Sequence, residues 1–324
     1  VTTLGLLLIL ALSFDFLNGF HDSANLAATV IASRALSSRS ALALVAAAEL
    51  AGPFLFGTAV AAVIGDGLLA RQALTLTVLL ATLGAAILWN LLTWILGLPS
   101  SSSHALVGGL IGAAIASAGW QAVQPGGLAK VLLSLLVAPV LGLAAGFLLM
   151  HFTLWICRNA SPSVNRFFRA GQIFTSMGLA LSHSANDAQK TMGVITLGLV
   201  ILGLQPHFAV PGWVVLLSAS ALALGSFAGA GRLIRTLGGR VLTVRPIHGF
   251  TAQLSGATVI LAAAILGGPV SSTQVLGSAL LGVGSADRPS RVRWTVGREM
   301  LTAWLLTIPV CTLLAGLLYL AAGR

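Results

Sequence analysis

The sequence predicts an all-α integral membrane protein built from two inverted-topology repeats of about five segments each. Three observations carry that prediction. The 324 residues are 57% hydrophobic and only 7% charged, with a mean hydropathy of +1.00, whereas a soluble domain is roughly 25% charged. Apolar blocks follow one another along the whole chain, separated by short basic connections. Short polar motifs of the first half return, in the same order, in the second. Thirty-seven glycines and eleven prolines suit closely packed helices better than a lipid-facing barrel of alternating strands.

A helix needs about 20 apolar residues to cross a bilayer core. Blocks of that kind run over residues 1–33, 41–64, 73–97, 99–119, 130–156, 171–203, 212–231, 247–267, 269–285 and 298–321. No basic side chain precedes Arg34, so the first block is expected to be retained as a span and not removed as a signal. Basic residues concentrate in cytoplasmic connections. That rule places Arg34 and Arg39, then Arg158, Arg166 and Arg169, then Arg232, Arg235, Arg240 and Arg245, and finally Arg288, Arg291 and Arg293 inside the cell. Both termini of this multi-pass chain are then expected outside the cell membrane, with Arg71, Lys130 and Arg324 near the outer side. The excess of 17 basic over 7 acidic residues therefore reports topology, and a nucleic-acid partner is discarded. Cys157 and Cys311 belong to no ligand pattern.

The first and sixth blocks are longer than a span needs and carry polar residues at 18–25 and 183–190, so both are expected to be broken helices. Blocks three and four form either two full crossings or a re-entrant helical hairpin with a serine run at its tip, and blocks eight and nine follow the same choice. Phe20-His21-Asp22-Ser23-Ala24-Asn25 aligns with Ala185-Asn186-Asp187-Ala188-Gln189-Lys190. Pro99-Ser100-Ser101-Ser102-Ser103-His104 aligns with Pro269-Val270-Ser271-Ser272-Thr273-Gln274. The division that follows is a first repeat at 1–157, a cytoplasmic linker at 158–170 and a second repeat at 171–324. An odd number of crossings per unit inserts the second copy upside down, which is the architecture of alternating-access carriers with a site near the midplane.

The runs Gly19-Phe20-His21-Asp22-Ser23-Ala24-Asn25 and 182–193, together with the two hydroxyl runs, resemble the paired signatures of the inorganic phosphate transporter (PiT) family. The resemblance spans residues 14–304. It implies a secondary symporter of inorganic phosphate, coupled to protons or sodium ions, with no cofactor and with a homodimeric assembly in the lipid bilayer. In members coupled to protons it implies a neutral metal-phosphate complex as a further candidate cargo. The sequence departs from the more symmetric pattern, in which both signatures end in Asn, because Lys190 stands opposite Asn25 and Asn186 opposite His21.

Asp22 and Asp187 are functional candidates because a carboxylate at membrane depth is costly unless paired. The plainer reading, an aspartate capping a half-helix, is compatible with ion binding. They are the candidate ligands for sodium or a substrate-bound divalent cation, with Asn25, Asn186, Lys190 and His21 as further coupling-ion or proton candidates. Ser101, Ser102, Ser103, Ser271, Ser272 and Thr273 can donate and accept toward a tetrahedral oxyanion, although either run alone reads as an ordinary N-cap. Two aspartates and a divalent phosphate outweigh Lys190, so cations must enter with the anion. His104, Gln274, Glu49 and Asp15 are secondary candidates. His183 merits no more weight than His104, Glu49 is expected outside the direct contacts, and Asp66 and Asp287 read as solvated loop charges.

Three rivals remain at this level. A membrane hydrolase using Ser103, His104 and an aspartate is disfavoured because Gln274 replaces the base in the second copy. A passive anion channel has no use for paired buried carboxylates. A sulfate permease on the same scaffold differs in its anion's lack of an exchangeable proton near neutral pH.

Overall fold

The structure is a computed structural model and describes residues 2–98, 100–229 and 244–323. The arginines at 232, 235 and 240, and Pro99 of the first hydroxyl run, lie outside the described residues. Each of the ten predicted blocks contains a helix, and no extended strand occurs among the described residues. The helices are α1 (Thr2–Ala32), α2 (Ser38–Phe56), α3 (Ala59–Ala62), α4 (Leu76–Leu96), α5 (Ser102–Ala118) and α6 (Pro125–Ile156), followed by α7 (Val164–Ile201), α8 (Gly212–Ala228), α9 (Pro246–Ile265), α10 (Ser272–Asp287) and α11 (Trp294–Ala322). Among the described residues, α1, α2, α4, α6, α9 and α11 are long and apolar enough to cross a membrane. Helix α7 starts at Val164, so the expected linker at 158–170 is already helical in its second half.

Helices α1 and α7 form the antiparallel centre. Leu7 packs at Gly198, Thr191 donates to Asp15, His183 bonds Asp22, and Ser33 donates to Gln172. As the residue number climbs on one helix it falls on the other. Both helices run unbroken, which corrects the expectation of broken first and sixth blocks. Their polar middles find partners on neighbouring elements, so the α-helical ladder has no need to open. The interruption comes instead after α2, at Gly57, and the free N–H groups of Val60 and Ala61 at the start of α3 are accepted by Gln189 Oε1 at 2.8 and 3.3 Å.

Helices α4 and α5 make a hairpin whose two feet lie together. Leu69 bridges Val123, and Ala70 donates to Ala122 at 2.8 Å. Helices α9 and α10 make a second hairpin, its feet joined by Arg245 Nη2 and Asp287 Oδ2 at 2.5 Å. Asp287 is therefore a paired terminus of α10 and not a loose loop charge. The first hairpin's foot, at Leu79, adjoins the start of α1 and the end of α7 through Leu7 and Gly198. The second hairpin's foot adjoins the opposite ends, since Gln172 donates to Pro246 and Gln253 to Thr29. The hairpins thus enter from opposite ends of the molecule and meet at their tips, where Gln274 Nε2 lies 3.2 Å from His104 Nδ1. Two tips that meet at the centre fit the re-entrant alternative of the two arrangements expected. At 1.5 Å per residue the 17 and 16 residues of α5 and α10 reach about 25 Å, short of a bilayer core. Gly97 and Gly267, with φ of 67° and 70°, turn the chain at equivalent places after α4 and α9.

Small residues bring the helices together, as lipid-embedded packing requires. Gly52 of α2 abuts the Leu181 carbonyl of α7, and Gly225 of α8 abuts the Phe16 carbonyl of α1, so each half clasps the other's central helix in the same way. Gly108 and Gly112 seat α5 on α11, and Gly142 and Gly146 seat α6 on α10. Each hairpin is therefore braced by the last helix of the other half.

Candidate functional site

The polar residues at the middle of α1 and α7 meet the two hairpin tips in one buried cluster. Asp22 is 4% exposed, Asp187 and His183 are fully buried, and Lys190 is 1% exposed. His183 is the hub. Its Nε2 lies 3.1 Å from Asp22 Oδ2 and 2.8 Å from Asp187 Oδ2, and its Nδ1 lies 2.7 Å from Glu49 Oε1. The spacing of His183 and Asp187 is one helical turn, so both point from the same face of α7.

The second hairpin supplies hydroxyls to both aspartates. Ser272 Oγ donates to Asp187 Oδ2 at 2.6 Å and lies 3.0 Å from Asp22 Oδ2, while Thr273 Oγ1 donates to Asp22 Oδ1 at 2.6 Å. The first hairpin approaches from the other side. Ser102 Oγ donates to Asn18 Oδ1 at 2.7 Å, and Ser103 Oγ to the Val270 carbonyl at 2.8 Å. Lys190 Nζ donates to Asp187 Oδ1, to Ser103 Oγ at 2.6 Å and to the Val270 carbonyl at 2.8 Å. The remaining serines of the two runs have the plainer role: Ser101 and Ser271 cap α5 and α10 by accepting from His104 and Gln274 N–H groups at 3.2 and 3.3 Å.

Other candidates sit around this centre. Asn25 donates to Asp22 Oδ1 at 3.2 Å. Asn186 spends its amide on the second tip, donating to Gly268 O at 3.0 Å and accepting from Val270 N at 3.1 Å. His21 makes no hydrogen bond to Asp22, and its Nε2 is buried without a partner among the described residues. Asp15 is fully buried, holds Thr191 Oγ1 at 2.6 Å and shares the face of Asp22 two turns away. His104 and Gln274, equivalent in the two halves, touch one another, and His104 Nδ1 also lies 3.2 Å from the Trp304 carbonyl.

Two placements differ from the sequence reading. Glu49, expected outside the direct contacts, bonds the hub histidine because α2 packs flush on α7 at Gly52. His183 was given no special weight, yet it joins three carboxylates; its alignment opposite Asn18, on the signature helix and one turn before Asp187, is the signal that could have found it.

Among the described residues, four buried carboxyls, Asp15, Asp22, Glu49 and Asp187, gather around Lys190 and His183. Such a cluster favours cations, and Asp22, His183 and Asp187 each offer a ligand atom within 4.8 Å of the others. The N-termini of α5 and α10 point their free N–H groups at the same place, and helix N-termini favour anions. The site can therefore hold both signs of charge at once. A narrow crevice lined by Asp22, Asn25, His183, Ser272, Thr273 and apolar neighbours has no room for a water molecule.

Comparison with known proteins adds four findings. Residues 18–315 match the phosphate transporter family. The chain is 39% identical over 318 residues to a Bacillus subtilis protein named "Probable low-affinity inorganic phosphate transporter", covering 97% of this chain and 95% of that one. It is 42% identical over 321 residues to a protein of the same name from Mycobacterium tuberculosis, covering 97% and 76%. A solved structure titled "The sodium-dependent phosphate transporter" superposes with a TM-score of 0.91 over 100% of this chain and 99% of that one. At 24% identity that likeness shows the fold.

Proposed function

The chain belongs to the phosphate transporter family, a family of transporters and not of enzymes, and we propose that it is a secondary symporter carrying inorganic phosphate across the cell membrane by alternating access. The observation that supports this reading best is the convergence of both signature aspartates, the hydroxyls of Ser102, Ser103, Ser272 and Thr273, and two helix N-termini at one buried centre between oppositely inserted hairpins.

In the observed arrangement the hydroxyls and the carboxylates satisfy one another. Phosphate, bearing acceptor oxygens, competes with Asp22 and Asp187 for the Ser272 and Thr273 hydroxyls. Aspartates that lose these donors need a replacement partner, because an unpaired carboxylate in a dry interior is heavily penalised. At Asp22, which no lysine or arginine bonds among the described residues, a proton or sodium ion supplies it. Binding of anion and cation is thereby coupled: neither is well accommodated without the other. The crevice admits no water molecule, so loading requires a hairpin tip to withdraw from α1 and α7. Withdrawal of the first tip opens the end bearing Lys130, and withdrawal of the second opens the end bearing Arg34, Arg166 and Arg245. We place the arginine end in the cytoplasm by the basic-residue rule, with both chain ends outside. The cluster of Asp22, His183 and Asp187 also supports a second reading, in which a divalent ion enters with phosphate as a neutral cargo.

Purified protein in liposomes tests the proposal. Labelled phosphate is expected to accumulate against its own gradient when a proton or a sodium gradient is imposed separately, and sulfate is expected to compete weakly at every pH. Uptake that merely equilibrates, whichever gradient is applied, would mark a passive pore, and equal competition by sulfate would mark a less selective permease.

A further inference from the structure

The two halves differ at one position of the buried cluster. Three residues after its signature aspartate the first half has Asn25 and the second has Lys190. Both side chains reach back to the aspartate of their own helix, Asn25 to Asp22 and Lys190 to Asp187. Lys190 then goes further. Its Nζ is also held by the Ser103 hydroxyl on the first hairpin at 2.6 Å and by the Val270 carbonyl on the second at 2.8 Å.

A carboxylate, a hydroxyl and a backbone carbonyl form a hard-oxygen set of the kind that receives small cations in carriers, where backbone carbonyls next to helix ends take the coupling ion. A buried ammonium has three N–H donors to place; here their acceptors come from α7 and from both hairpin tips, so the charge sits where the two halves meet. The Asp22 half has no such ammonium. Its carboxylate is met by Asn25, Ser272, Thr273 and His183, and no lysine or arginine bonds it among the described residues.

We propose that the Lys190 ammonium is a tethered cation that permanently fills the second half's coupling-ion seat, leaving the Asp22 half to take the mobile cation. This inference rests on the symporter reading of the same site. It follows that the chain moves one monovalent cation fewer per phosphate than a carrier with Asn at this position. A tethered charge also cannot leave with the cargo, so Asp187 stays neutralised through the cycle.

The test uses the purified full chain, with bound labelled sodium counted in detergent and phosphate uptake followed in liposomes. Lys190→Asn is expected to bind one more sodium ion per chain than wild type, and adding Asp187→Asn is expected to remove it. Uptake by Lys190→Asn should fall at least tenfold in choline medium and recover in sodium, with one more cation moved per phosphate. Lys190→Arg, which keeps the charge, should retain the wild-type sodium count. A Lys190→Asn protein with the wild-type count and ratio overturns the proposal. So does an additional sodium ion on Lys190→Arg; where Lys190→Asn does not fold, Lys190→Ala, which also removes the charge, takes its place in the same count, and a wild-type count there overturns the proposal equally. Wild-type protein that takes up no phosphate under any gradient refutes the symporter reading instead, while the sodium count still decides the role of Lys190.

Discussion

Asp187 is bonded by the Lys190 amine on its own helix, one turn away, whereas among the described residues Asp22 is bonded by hydroxyls, an amide and a histidine from another helix. The two aspartates therefore differ in what their removal exposes. Asp187→Asn leaves Lys190 buried without its counter-charge, and breaking a buried pair costs about 3–5 kcal/mol; a lowered thermal midpoint in detergent measures it. Asp22→Asn strips no fixed cation and is expected to spare folding while abolishing concentrative uptake. Replacing the hub by His183→Gln keeps a donor toward only one of its carboxylate neighbours, so phosphate affinity should fall about tenfold, the equivalent of one charge-assisted hydrogen bond. Titration of uptake against phosphate concentration checks it. At this scale the aspartates and hydroxyls were legible because each recurs in both halves. His183 and Glu49 were not, since the histidine aligns with Asn18 and the glutamate stands alone in an alanine-rich helix with no motif around it. Only the packing of α2 on α7 brings them together.

The ten main helices could be located from hydropathy alone, and the hairpins could be located without being decided. Crossing and re-entry give the same apolar pattern; what separates them is the meeting of His104 with Gln274 and the pairing of the feet. The expectation of broken first and sixth helices failed for a physical reason. Polar residues at membrane depth call for partners, and those partners proved to be side chains and tips of other elements, leaving the ladders of α1 and α7 whole. The actual break follows Pro53 and falls at Gly57, which has a φ of 77°, and the restart at Val60 depends on Gln189, 129 positions away from Val60. Helix contact makes a sharp prediction. A methyl group on Gly112 or Gly146 would meet the backbone carbonyl of Thr312 or Ala279, and overpacking of this kind costs about 1–3 kcal/mol. Gly178 faces open space in α7, so Gly178→Ala should be neutral or stabilise by up to about 1 kcal/mol. Thermal unfolding of the three variants side by side distinguishes them.

Across the whole molecule, hairpins that enter from opposite ends put a cation-favouring cluster and two anion-favouring helix ends at the same depth. Arg34, Arg39, Arg166, Arg169, Arg245 and Arg288 gather at the end of the molecule that holds the second hairpin's foot, while Lys130 lies at the other, and this asymmetry was readable from the sequence. The narrow crevice was not, because the fit of two tips against α1 and α7 depends on side-chain packing that no periodicity encodes. If the paired aspartates couple cation entry to anion entry, wild-type liposomes given an inward cation gradient will concentrate labelled phosphate severalfold, and an Asp22→Asn/Asp187→Asn protein that remains folded will not concentrate it at all. Phosphate concentrated by that double variant to the wild-type level would contradict the coupling of the two charges at this site.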